Sequence, residues 1–173
     1  MESRSAAKFA CIALLVVIAL QFVYYYPRLP DRVASHFDAR GVPNDWSSKG
    51  AFFAIMGCVI ALIALIFVGF GLWLPKMPVS MMNLPHKRYW FAPERREETL
   101  SVLSGYMYWF GAATLAFMAG IFQQTFEANL NPGRPLDQPW LYLGPYLAVT
   151  VVWTVFLLRR FSRIPKEPGS HSR

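Results

Sequence analysis

Four apolar runs, each long enough to cross a lipid bilayer, constrain this chain more than any motif in it. They cover residues 9–26, 51–74, 102–122 and 140–158. A helix rises 1.5 Å per residue, so about 20 residues cross a hydrocarbon core of ~30 Å. The first run reads FACIALLVVIALQFVYYY, with Gln21 its one strongly polar side chain; the second holds no Asp, Glu, Lys, Arg or His. In lipid every backbone N–H and C=O must be paired within the protein, which predicts helices. The runs show no period-two alternation, so a barrel is not expected. Charged residues are 16% of the chain, short of the ~25% with which a soluble domain covers its surface. The expected fold class is an all-α membrane protein: a left-handed four-transmembrane-helix bundle, monomer or homodimer, with a small ordered extracytoplasmic loop.

The first run ends in Tyr24-Tyr25-Tyr26-Pro27 with no small-x-small cleavage site, and reads as a retained anchor, not a signal peptide. Aromatic residues at the run ends (Trp73, Trp140, Tyr142, Tyr146) read as interfacial belts. Gly144-Pro145 predicts a kink in the fourth run or an inward shift of its start. Gly57, Gly69, Gly71, Gly105, Gly111 and Gly120 are small enough for close helix approach, and Ser104, Thr114, Thr150 and Thr154 read as helix-packing polar residues. Cys11 and Cys58 lie in apolar runs and read as buried free thiols.

Lys and Arg are distributed unevenly among the connecting segments. Twelve flank the N-terminus, the 75–101 loop and the C-terminus, against five (Arg28, Arg32, Arg40, Lys49, Arg134) in the other two loops. The positive-inside rule then places both termini in the cytoplasm. The loops 27–50 and 123–139 face outward, and the basic tail 164–173 is expected to be disordered. The basic residues lie between apolar runs, so the net charge of +7 points to the lipid bilayer as partner and not to nucleic acid.

The outer loop PRLPDRVASHFDARGVPNDWSSKG is too patterned for a tether. Val33–Phe37 is a short β-like run; Asp38–Gly41 and Pro43–Asp45 are turn chemistry; Ser47 or Ser48 can cap the next helix. One residue separates His36 from Asp38, which puts both on one face of a strand. Asp31 and Asp45 could join them in a one-His, carboxylate-rich cluster, but zinc sites need more His or Cys, so no metal and no cofactor is expected. His36 bonding loop backbone is the favoured reading, with Arg32 pairing Asp31 or Asp38.

In the inner segment MMNLPHKRYWFAPERREETL, Pro93 suits a first helical turn, and Glu94, Glu97 and Glu98 suit the positive end of the macrodipole. One helix is expected from Glu94 onward, with Tyr89, Trp90 and Phe91 at the interface. Lys87, Arg88, Arg95 and Arg96 favour anionic headgroups or a cytoplasmic protein; the simpler reading is an elbow that anchors the third helix.

These two segments resemble the membrane domain of unknown function of bacterial SdpI-type proteins. The outer-loop match is carried by Leu29, Pro30, His36, Phe37, Gly41, Pro43 and Lys49. The inner-loop match to short stand-alone members is carried by Asn83, Pro85, Lys87, Tyr89, Trp90, Pro93, Glu94, Arg95 and Arg96. The family takes its name from an immunity protein against a secreted peptide toxin, so the resemblance implies an immunity or envelope-signalling role. Immunity-type members carry a further C-terminal membrane half; this chain reads as a short member without it.

No phosphate loop, zinc-protease helix or nucleophile elbow is present, so no catalytic residue is nominated. The expected function is a non-enzymatic membrane protein that binds or senses a peptide or envelope partner. The candidate outer-loop site is Asp31, His36, Phe37, Asp38, Gly41 and Lys49. The candidate inner-loop site is Asn83, Lys87, Tyr89, Trp90, Pro93, Glu94, Arg95 and Arg96. The alternative is an accessory component of a transport system, disfavoured because ionisable groups are missing at mid-membrane depth.

Overall fold

The computed structural model describes residues 2–131, 135–136 and 139–165. Arg134, Lys166 and Arg173, and the expected tail from 166 onward, lie outside the described residues. In chain order the elements are α1 (Glu2–Tyr25), β1 (Arg32–Phe37), β2 (Pro43–Ser48) and α2 (Lys49–Ala64). A π turn (Leu65–Gly69), α3 (Phe70–Trp73) and two 3-10 turns (Leu74–Lys76, Val79–Met81) follow. The chain then forms α4 (Lys87–Trp90), α5 (Arg96–Leu130) and α6 (Pro139–Ser162). Four stretches, Arg4–Tyr25, Lys49–Lys76, Arg96–Leu130 and Trp140–Ser162, are helical and long and apolar enough to cross a membrane.

Helix α5 is the axis of the molecule. Its 35 residues make it about 52 Å long, well beyond the ~30 Å of a hydrocarbon core. It packs along α1 and also meets α2, the π turn, α3 and α6. Buried side chains therefore occur around much of its circumference, from Ser104 and Tyr108 through Leu115 to Phe122 and Phe126. At the hairpin end Phe22, Phe53, Phe122 and Phe126 interlock edge to face and stacked, and Tyr25 stacks on Phe126 at 4.7 Å. Helix α6 packs mainly on α5 and leaves most of its apolar surface open.

Polar groups inside the bundle bond to helix backbone. Ser104 Oγ donates to the Gly71 carbonyl at 3.2 Å, and Thr114 Oγ1 to that of Phe110 at 2.9 Å. The Cys11 thiol donates to the Tyr108 carbonyl at 3.1 Å, whereas Cys58 is exposed, against the expectation that both are buried. Gly71, Gly111 and Gly120 do sit at close approaches, against Tyr108, Phe67 and Tyr142. Gly57 and Gly105 face open space and mediate no approach.

Several sequence expectations are corrected. The third span does not stop at Phe122: α5 runs eight residues further, because Gln123, Thr125 and Asn129 bond within the helix or to its neighbours. Polarity ended the apolar run without ending the helix. Pro43–Asp45 is the start of strand β2, not a turn; Pro43 is its first residue, where a missing N–H is tolerated. Helix α5 begins at Arg96, not Glu94, since Ala92 accepts from both Arg95 and Arg96 N–H and closes a separate turn around Pro93. Trp90 and Phe91 are buried within the protein. Helix α6 runs through Gly144-Pro145 from Pro139, so its start is not shifted inward.

Candidate functional site

The hairpin β1–β2 is antiparallel, with Ala34 opposite Trp46, His36 opposite Asp45 and Phe37 opposite Pro43. The register is irregular on both sides of His36. The turn is organised by Asp38, whose Oδ1 accepts the N–H groups of Arg40 (2.8 Å) and Val42 (2.9 Å) while its Oδ2 pairs with Arg40 at 3.3 Å. Gly41 follows at φ 79°, a conformation costly for any residue with a Cβ. Its carbonyl accepts the Leu136 N–H at 2.8 Å, which ties the turn to the segment between α5 and α6.

Two further anchors hold the hairpin to the helices. Asn129, near the end of α5, accepts the Ala34 N–H at 2.6 Å and donates to the Ala34 carbonyl at 3.1 Å. Its amide thus does for β1 what the next strand of a sheet would do. At the base, Lys49 Nζ donates to the Leu29 carbonyl at 3.0 Å and pairs with Asp31 at 3.3 Å, beside the Tyr26 ring. Ser48 caps α2 by accepting the Ala51 N–H at 3.2 Å.

The predicted outer residues therefore do separate jobs. His36 Nδ1 meets Asn44 Oδ1 at 2.5 Å, a side-chain partner and not loop backbone. Asp31 pairs with Lys49 and Asp38 with Arg40, so Arg32 takes neither expected role. Asp45 accepts the N–H of Trp46 at 2.8 Å, and Phe37 is half-buried. Among the described residues no three of His, Cys, Asp and Glu come together; the grouping of His36, Asp38, Asp31 and Asp45 is not assembled.

The Val42 N–H makes the largest contribution to holding the Asp38 carboxyl below the usual carboxylate range; desolvation, next in size, opposes it, and the N–H and guanidinium of Arg40 lower it further. A folded value below the unfolded ~3.9 means that this turn gains stability above about pH 4 and loses it as pH falls through the folded value. Amide exchange at Arg40 and Val42, corrected for intrinsic rate, should stay slow at neutral pH and accelerate below about pH 4. Asp38→Asn should flatten that dependence; an acid-insensitive turn in the wild type would contradict it.

Beneath the hairpin a polar seam joins α1 and α5. Gln123 Nε2 donates to Glu127 Oε1 and to the Tyr25 hydroxyl, both at 2.6 Å. Gln21 Nε2 donates to Gln123 Oε1 and to the Ala119 carbonyl, both at 3.1 Å, leaving Gln21 Oε1 buried without a partner.

The inner-loop residues assemble at the other end of α5. Trp90 is the centre: its indole N–H donates to the Phe161 carbonyl at 3.0 Å, closing the last turn of α6, and its own carbonyl accepts the Thr99 hydroxyl at 2.7 Å. Arg95 lies 4.2 Å over the Tyr89 ring and Arg160 lies 5.1 Å over Trp90. Arg96 donates to the Pro75 carbonyl at 3.2 Å. Asn83, Lys87, Pro93 and Glu94 are exposed. Thr99 and Asn129 are about 45 Å apart along α5, so the outer and inner sites are separate. Asn129, Leu136, Thr99 and Phe161 were not singled out by sequence; the i, i+4 polar spacings Gln123/Glu127 and Thr125/Asn129 are the signal for the first.

These features define a helical multi-pass membrane protein with an ordered hairpin cap. Residues 12–60, which include the hairpin and parts of α1 and α2, match the profile of a family described as Domain of unknown function (DUF1648). No curated protein and no solved structure matches the chain.

Proposed function

We propose that the chain is a non-enzymatic protein of the bacterial cytoplasmic membrane, both termini in the cytoplasm, that receives a peptide or protein partner on its outward-facing hairpin. An immunity-like or envelope-signalling role follows from the resemblance to SdpI-type proteins. The reading is carried by one observation. The hairpin is held by Asn129, Leu136 and Lys49, yet Trp46 and Val42 remain 47% and 45% exposed. A rigid frame that presents an open tryptophan suits recognition, because little ordering entropy is lost on binding and aromatic anchors dominate interface energetics.

The test uses a Cys58→Ser background. Asn44→Cys should react with an impermeant thiol reagent in intact cells, and Ser80→Cys only after permeabilisation. A photocrosslinker at position 42 should capture a partner that one at lipid-facing Ile55 does not, and Trp46→Ala should lower that yield by about tenfold. Reversed labelling removes the orientation. An unchanged crosslinking pattern with Trp46→Ala removes the docking surface.

A further inference from the structure

We infer that the groove between α5 and α6 binds one anionic phospholipid, its phosphate on Arg95 and Arg160 and an acyl chain along α6. At the α4 end a small notch of about 20 Å³ is lined by Trp90, Arg95, Glu98, Thr99, Arg160 and their neighbours. Two guanidinium groups face it, each laid against an aromatic ring. Among the described residues no carboxylate pairs with Arg95, and Arg160 has only Glu98, at 3.8 Å and 73% exposed. The notch therefore carries net positive charge on planar donors that suit phosphate oxygens.

Its floor is apolar, formed by Val102 and Phe161. Further along the same two helices a second hollow lies between Tyr106 and Val152, Trp153 and Phe156, about 450 Å³. It goes on between Phe117 and Pro145, Tyr146 and Val149, about 320 Å³; Val149 lines both stretches. From Thr99 to Phe117 the helical rise is about 27 Å, more than one leaflet of a ~30 Å core. A free phosphate has no use for this apolar continuation. A zwitterionic lipid has the chain but no net negative charge to meet the arginines. An anionic lipid satisfies both ends of the groove.

The full chain in detergent micelles, offered equal phosphatidylglycerol and phosphatidylcholine, should retain one phosphatidylglycerol by native mass spectrometry. The expected preference is about tenfold, the scale of one or two guanidinium contacts at an anionic surface. The double variant Arg95→Gln/Arg160→Gln should bring the preference close to unity. Arg28→Gln/Arg32→Gln, at the hairpin end, should leave it unchanged. Ala148→Trp fills the apolar stretch without touching the arginines and should lower retention of both lipids, which separates loss of the groove from loss of the charge. Equal retention of the two lipids by the wild type, or a preference that survives the double arginine change, overturns the inference. Displacement by millimolar inorganic phosphate overturns it as well, in favour of a simple phosphate site.

Discussion

Asn129→Leu should release the hairpin while the four long helices stay packed. Ala34 is 4% exposed, and its N–H and C=O are both held by the Asn129 amide. Leucine is close in volume but supplies neither donor nor acceptor, so two buried backbone groups lose their partners. At about 1–3 kcal/mol for each orphaned group, the local cost is about 2–6 kcal/mol. That cost falls on a two-stranded unit with little stability of its own, so opening should be local. Amide exchange through β1 should accelerate by roughly 30-fold or more, with no comparable change at the centre of α5. Asn129→Asp keeps an acceptor for the Ala34 N–H but cannot donate to the Ala34 carbonyl, and should fall between the two. If β1 exchanges at the wild-type rate in Asn129→Leu, the clamp is not what holds the cap.

That clamp also shows where the sequence was legible and where it was not. The spans could be read because lipid permits so few residue types in contact with it: an apolar run of 20 residues has almost one interpretation. Their ends could not. Gln123, Thr125 and Asn129 look like the start of a loop when hydropathy alone is followed, yet they are satisfied along the helix and across to α1 and β1. Turn chemistry located Asp38 and Gly41, since a carboxylate accepting nearby N–H groups and a positive φ are local events. Their tie to Leu136 was invisible, because it pairs backbone groups 95 residues apart and backbone pairing leaves little compositional trace. The inner loop failed in the same way. Glu97 and Glu98 suit a helix start wherever it falls, but the role of Trp90 depends on the Phe161 carbonyl 71 residues away. The two candidate sites were thus readable as motifs and not as attachments, and the attachments decide which faces are left free.

Gly111→Ala should be the most damaging single-atom addition in the bundle. A Cβ at this position would lie 2.5 Å from Phe67 Cβ and 3.0 Å from Phe67 Cγ, with Cys11 Sγ at 3.6 Å. Three elements meet there: α5, the π turn and α1. The obstructing atom matters. Phe67 Cβ is fixed to the backbone of the π turn and cannot swing aside as a side-chain tip can, so the turn must shift or α5 must separate from it. Overpacking of this kind costs about 1–3 kcal/mol and more where backbone has to move. Gly57 and Gly105 provide the comparison, since a Cβ at either meets nothing within 4 Å; alanine there should be neutral or stabilising by up to ~1 kcal/mol through helix propensity. Reversible denaturation in mixed micelles would rank the three. The pairing with Phe67 supplies a second discrimination. Phe67→Ala keeps the clashing Cβ and should not relieve Gly111→Ala, whereas Phe67→Gly removes it and should show favourable coupling in a double-mutant cycle. If Gly111→Ala is as mild as Gly105→Ala, the close crossing of α5 and the π turn does not exist in the folded protein. The arrangement that sets α5 as the axis, with hairpin clamp at one end and Trp90 at the other, would then have to be redrawn.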